Sequence, residues 1–176
     1  MIFVARVVIA ILAALWFGSS LASSAVAQVV AIGDSGTAGT GAGVGSAYPA
    51  QLEALLRARG YNVSVTNAGI IGDTTGMILN RLDSVLTPGT KVVILQMGYY
   101  NDWRTGVSRE QNAANVKAAM ARVRAHGANY VWINDSTYAA IPRSYYGDGL
   151  HLNEQGQALL ASRILPQVLR ALGSRR

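Results

Sequence analysis

Hydrophobic positions along the chain switch repeatedly between two periods. "VVAI" (29–32) is a continuous apolar run, and "KVVILQM" (91–97) is apolar almost throughout. "NVSVTN" (62–67) alternates apolar and polar residues, and "NYVWIN" (129–134) is a fourth short run. Short apolar runs of this kind predict strands, and the continuous ones predict strands buried on both faces. Between them the spacing becomes helical. "YPAQLEALLRARG" (48–60) places Leu52, Leu55 and Leu56 on one face, with Pro49 early and Gly60 as a stop. "DTTGMILNRLDSVL" (73–86) does the same with Ile78, Leu82, Val85 and Leu86, then breaks at Pro88-Gly89. "SREQNAANVKAAMARVRAHG" (108–127) opens with the capping box Ser108…Gln111 and ends at Gly127. A last helix from about Asn153 carries Leu159, Leu160, Ile164, Leu165, Val168 and Leu172, with a kink expected at Pro166.

Strand–helix repeats of this length require parallel strands joined by right-handed crossovers. The predicted architecture is a three-layer α/β/α sandwich around a flavodoxin-like parallel sheet of about four to five strands. Ligands of such sheets bind beyond the carboxyl ends of the strands. Gly33-Asp34-Ser35 follows the first strand, Asn67-Ala68-Gly69 the second, and Gly98-Tyr99-Tyr100-Asn101-Asp102 the third. "GDGLHLNEQG", with Asp148 and His151, precedes the last helix. All four clusters fall on the edge where chemistry is expected. No internal repeat, linker or second domain interrupts the pattern.

The first residues break it. Arg6 is followed by eleven apolar residues from Val7 to Phe17, then by small residues and Ala25-Val26-Ala27. This is the pattern of a signal peptide over 1–27, leaving a single domain over 28–176. The apolar run is shorter than the ~18 residues of a membrane span, so no stable span is expected after cleavage, and the destination is the periplasm or the medium. The net charge of +6 becomes +5 without Arg6. The arginines are scattered rather than interleaved with aromatics, which argues against a nucleic-acid surface. Absence of cysteine removes disulfides, thiolate metal sites and a cysteine nucleophile. The sequence does not indicate an oligomeric state.

The candidate chemistry centres on histidine, of which there are two. His126, in "RAHG", sits where a helix ends and suits a C-terminal cap. His151 lies three residues after Asp148 in a glycine-containing turn, a spacing that lets the carboxylate hold one ring nitrogen while the other faces the cleft. Ser35 is then the nucleophile, His151 its base, and Asp148 the residue that orients the imidazole. The backbone N–H of Ser35 or Gly69 and the side-chain amide of Asn101 are the candidate oxyanion donors. Gly69 allows close approach to the backbone, and Asn101 donates without adding charge. Tyr99, Tyr100 and Trp103 are candidate lining of an acyl or aryl pocket. Asp34 and Asp102 read as carboxylates that satisfy local backbone N–H groups. The glycine-rich stretch 36–45 matches neither nucleotide fingerprint and reads as a mobile loop beside Ser35. G-x-S-x-G and H-E-x-x-H are both absent. Nothing calls for a cofactor or a metal.

Taken in order, "AIGDSGTAG", "NAGIIGDTT", "GYYND" and "DGLH" resemble blocks of the SGNH (GDSL) hydrolases, a superfamily of serine esterases, lipases, thioesterases and carbohydrate esterases. The flavour is that of its small exported arylesterase and acyl-thioesterase branch. The resemblance implies Ser35, Asp148 and His151 as the triad and Gly69 and Asn101 as oxyanion donors. It implies small or medium acyl esters or thioesters as substrates. Carbohydrate O-deacetylation, or an inactive binding protein on the same fold, are the alternatives. The chain departs from the pattern in three places. Gly36 replaces the usual leucine after the serine. Tyr99 stands where a glycine belongs, with Gly98 one residue early. Asp148 follows Asn101 by only 47 positions, where relatives carry another strand–helix unit. A four-stranded sheet with one open pocket wall is therefore expected.

Overall fold

The computed structural model describes residues 27–173, so the expected leader lies outside the described residues except for Ala27. In chain order the elements are β1 (Ala27–Gly33), α1 (Ser35–Ala38), α2 (Tyr48–Ala58), β2 (Val63–Gly69), α3 (Thr75–Val85), β3 (Thr90–Gln96), α4 (Tyr100–Arg104), α5 (Arg109–Ala125), β4 (Asn129–Ile133), α6 (Asp135–Ala139) and α7 (Glu154–Leu172). Single 3₁₀ turns lie at Val44–Ser46 and Arg143–Tyr145. The strands form one sheet in the order β2-β1-β3-β4, and every pairing is parallel.

Side-chain alternation along the strands assigns the two faces. Val29, Ala31, Val92 and Ile94 pack against Leu52 and Leu56 of α2 and Leu160, Ile164 and Val168 of α7. Ile32, Val93 and Leu95 pack against Ile78 and Leu82 of α3 and Val116, Ala119 and Val123 of α5. Each fully buried Leu or Ile contributes about 1.5–3 kcal/mol, so the two apolar layers are the main stabilising term. The sandwich predicted from periodicity is the one observed, with four strands.

Caps end the helices where the sequence indicates. Ser108 Oγ accepts from the Gln111 N–H at 3.1 Å. The Gln111 side chain donates to Asn115 Oδ1 instead of returning to the cap, so only half of the capping box forms. Asn153 Oδ1 caps α7 through the Gly156 N–H at 2.9 Å. That helix continues through Pro166 as one element. His126 is the C-cap of α5, and its Nε2 lies 2.9 Å from the Thr87 carbonyl.

The loops at the carboxyl edge are held by buried polar groups. Asp102 is fully buried on α4. Its carboxylate accepts from the Thr75 N–H at 2.8 Å, from the Thr75 hydroxyl and from Asn112 Nδ2. One carboxylate thereby ties α4 to the first turn of α3 and to α5, a long-range role in place of the local backbone one read from the sequence. Arg81 of α3 donates to the carbonyls of Gly33 and Ala68 at 2.9 and 2.8 Å and to Asp73 Oδ2 at 2.7 Å. It stitches the ends of β1 and β2 to the loop that follows.

β2 runs farther than its alternation predicts. It continues through Asn67, Ala68 and Gly69, with Gly69 in register with Gly33. α1 lies directly over this pair. A Cβ on Gly69 would come within 2.6 Å of the Thr37 carbonyl carbon and closer still to the Ala38 nitrogen. A Cβ on Gly33 would come within 2.8 Å of the Gln96 carbonyl oxygen.

Two outcomes follow from this packing. Gly69→Ala forces backbone against backbone, so it lowers stability by about 1–3 kcal/mol and displaces the helix that begins at Ser35. Denaturant unfolding measures the first effect, and hydrogen exchange of the α1 backbone amides the second. Asp102→Ala leaves the Thr75 N–H without its acceptor and lowers stability by about 2–4 kcal/mol in the same assay.

Candidate active site

The chain leaves β1 at Gly33 and turns at once into α1. Asp34 is its N-cap, and Asp34 Oδ1 accepts from the Gly36 N–H at 2.9 Å. This is the local backbone role read for Asp34 from the sequence. The turn is anchored from below by β3. Gln96 Oε1 accepts from the Asp34 N–H at 3.1 Å and from the Thr37 hydroxyl at 3.0 Å. With its proton so used, Thr37 accepts from the Tyr48 hydroxyl, 3.1 Å away. Thr37 and Tyr48 are wholly buried. Ser35 emerges from this platform as the first residue of the helix, and its own N–H has no acceptor among the described residues.

His151 arrives on a separate loop. Tyr146 and Leu152 form an antiparallel bridge, and the Gly147 N–H donates to the His151 carbonyl at 3.0 Å. Inside the loop, Asp148 Oδ1 accepts from the Leu150 and His151 N–H groups at 2.9 and 2.6 Å. Its other oxygen, Oδ2, lies 2.6 Å from His151 Nδ1. These bonds hold the Asp148 carboxyl well below the usual carboxylate range, the contact with the imidazole being the largest cause. An ionised carboxylate can only accept, so the ring proton sits on Nδ1. Nε2 is then free to accept, and Ser35 Oγ lies 3.0 Å from it. The side chain of Asp148 is 55% exposed and that of His151 19% exposed. The three residues that the sequence singles out for this chain are thus brought together. A hydroxyl bonded to an imidazole that a carboxylate fixes from behind can give up its proton as it attacks an electrophile.

The oxyanion candidates are placed differently. Gly69 lies within β2, and its N–H donates to Asn67 Oδ1 at 3.0 Å. Its missing side chain makes room for α1 rather than for a ligand. The next glycine of the same stretch, Gly72, has φ +86° and open space where a side chain would be. It sits in a turn closed by the Asp73 N–H on the Ile70 carbonyl, and its own N–H has no acceptor among the described residues. The signal for it was the second glycine of "NAGIIGDTT". Asn101 lies in the first turn of α4. Its Nδ2 donates to the Asp73 carbonyl at 2.9 Å and to Asp34 Oδ2 at a longer 3.3 Å. Burial pushes the Asp34 carboxyl above its usual range.

A cavity of about 230 Å³ opens beside Ser35 and His151. Of the aromatic residues proposed from the sequence, Tyr100 lines it. Tyr99 is turned away, with the Arg109 guanidinium 4.3 Å above its ring. Trp103 is 63% exposed and stacks at 6.1 Å on Tyr100. The other wall comes from α6 and the segment after it, through Asp135, Tyr138, Arg143 and Tyr146. The floor includes Gln96. The glycine-rich stretch read as a loop begins as α1. Gly41 then packs behind the base, since a Cβ there would meet the Leu152 carbonyl at 2.9 Å and His151 Cβ at 3.1 Å.

Among curated proteins, an arylesterase of Vibrio mimicus is 33% identical over 118 residues, 66% of this chain and 58% of its own length. Esterase TesA of Pseudomonas aeruginosa is 33% identical over 110 residues, 61% of this chain and 54% of its own. The chain thus matches little more than half the length of these relatives. The solved structure of TesA superposes with a TM-score of 0.73 at 22% identity, covering 82% of this chain and 99% of that one. At that identity the likeness speaks for the fold. No helix among the described residues is long and apolar enough to cross a membrane. The model of the GDSL-like lipase/acylhydrolase family matches residues 31–145. The chain belongs to the GDSL-like lipase/acylhydrolase family.

Proposed function

We propose that this protein is an exported serine ester hydrolase that acts on small or medium acyl esters or thioesters through an acyl-enzyme. The observation that carries this reading is the hydrogen-bonded chain Ser35 Oγ–His151–Asp148, at 3.0 and 2.6 Å. The names of the two curated relatives, an arylesterase and an esterase, support it.

Ser35 Oγ attacks the acyl carbon while its proton passes to His151 Nε2. Asp148, its carboxyl held well below the usual range by the imidazole and two backbone N–H groups, stabilises the imidazolium that results. Charge developing on the former carbonyl oxygen meets the N–H groups of Ser35 and Gly72 and the amide of Asn101, which releases its long contact to Asp34 to do so. The tetrahedral species collapses, and the alcohol or thiol leaves with the proton from His151. Water then repeats the sequence on the acyl-enzyme and returns Ser35 to its hydroxyl form. Gly72 replaces Gly69 in this scheme because the N–H of Gly69 is already bonded. A binding role alone gives no account of a hydroxyl held against an oriented imidazole, so the enzyme reading is preferred.

Two measurements test the proposal. Treatment with a fluorophosphonate, followed by mass spectrometry, gives one adduct on Ser35 that disappears in His151→Ala. Ser35→Ala lowers kcat on aryl esters by a factor on the order of 10³–10⁶, and unchanged turnover would remove Ser35 from the mechanism. The leader reading predicts that N-terminal sequencing of the exported protein begins at Gln28.

A further inference from the structure

Two residues that line the cavity beside Ser35 keep donor capacity to spare. Gln96 is only 4% exposed. Its Oε1 is fixed by the Asp34 N–H and the Thr37 hydroxyl. The amide is therefore oriented; its Nε2 is on the opposite side, where the Asp34 carboxyl takes one of its two N–H groups and the other is left over. That side is the cavity, which Gln96 lines together with Gly98 and Asp135. Nε2 lies 3.9 Å from where a Cβ on Gly98 would be. The second donor is the Tyr138 hydroxyl, a buried oxygen without a hydrogen-bond partner. It projects from α6 into the space above Gly36, only 2.6 Å from where a Cβ at that position would sit. The same Cβ would lie 3.4 Å from Gln96 Oε1. Tyr138 and Gln96 thus converge over the residue that follows Ser35.

This placement accounts for the glycine at position 36. A leucine there, as the family resemblance leads one to expect, would occupy the volume that the Tyr138 hydroxyl takes. The exchange replaces an apolar wall with a polar one. It also leaves a buried polar group unsatisfied unless a ligand meets it.

Resting on the ester-hydrolase reading, we propose that Gln96 Nε2 and the Tyr138 hydroxyl form a subsite for a neutral oxygen acceptor carried by the substrate. The partner is an ether, hydroxyl or carbonyl oxygen a few bonds from the scissile ester. Both groups can donate: an amide N–H₂ has no acceptor capacity, and burial pushes the Tyr138 phenol well above its usual range, so it keeps its proton. The acceptor is neutral because the carboxylates of Asp34 and Asp135 also face the cavity and repel an anion. Arg143, on the same wall, is exposed and lies 5.9 Å from the Tyr146 ring. The preferred substrates are then oxygen-bearing esters rather than plain alkyl ones of equal size.

The test uses two isosteric pairs of esters. Para-nitrophenyl methoxyacetate against para-nitrophenyl butyrate places the oxygen on the acyl side. Methoxyethyl acetate against butyl acetate places it on the alcohol side. Comparing each pair between wild type and variant cancels the intrinsic reactivity of the esters. Tyr138→Phe lowers the oxygen-to-carbon ratio of kcat/KM by about tenfold in the pair whose oxygen reaches the subsite, and it does not lower Tm, because no bond is lost. Gln96→Glu keeps an oxygen for Asp34 and Thr37 but turns the cavity-facing donor into an acceptor, and lowers the same ratio. If Gln96→Glu loses the Ser35 fluorophosphonate adduct, the Tyr138→Phe ratios decide alone. Ratios within about twofold of wild type in both pairs overturn the subsite. A wild-type protein that hydrolyses none of the four esters and forms no Ser35 adduct overturns the hydrolase reading as well.

Discussion

The closeness with which α1 lies over the ends of β1 and β2 sets the position of everything at the carboxyl edge of the sheet. Neither Gly33 nor Gly69 can carry a side chain beneath it. With that contact made, Gln96 of β3 reaches the Asp34 N–H and fixes the first turn from a third strand. Ser35 is therefore not held by a flexible loop. It is placed by backbone packing on two strands and by one side-chain amide on another. Arg81 completes the arrangement by bonding the carbonyls of Ala68 and Gly33 near the ends of β2 and β1.

Two aspartates near Ser35 show how environment separates identical side chains. Asp34 is buried, and desolvation raises its pKa. Asp148 is more than half exposed but receives an imidazole and two backbone N–H groups, and its pKa falls. The first holds a turn. The second remains charged and orients a ring. Proximity to the Ser35 hydroxyl is not what distinguishes them; burial dominates at Asp34 and donated hydrogen bonds dominate at Asp148.

Much of this was legible in the sequence because it depends on period. Buried parallel strands and one-sided helices leave strong patterns, and the order of elements then dictates the sheet edge where Ser35, Asn101, Asp148 and His151 meet. Three features were not legible, for separate reasons. Gly69 looks like a loop glycine, because its role is steric exclusion by a helix that is distant in the contact map of the sequence. Gln96 reads as one polar letter in an apolar run, and its orientation depends on Asp34 and Thr37, some sixty positions away. The segment 135–147 has no period, so nothing in it announces Tyr138 as a cavity wall. Aromatics adjoining Asn101 were more conspicuous, yet Tyr99 and Trp103 face elsewhere.

The loop from Tyr146 to Leu152 closes on itself through its own bridge and through both oxygens of Asp148. Its hydrogen bond to Ser35 spans 116 positions. Asp148 and His151 therefore sit on one self-closed loop that docks on α1, while the chain between α4 and that loop supplies the cavity wall through Asp135, Tyr138 and Arg143. The hydrogen-bonded pair that meets Ser35 and the wall that faces it are thus encoded on different stretches of the same polypeptide.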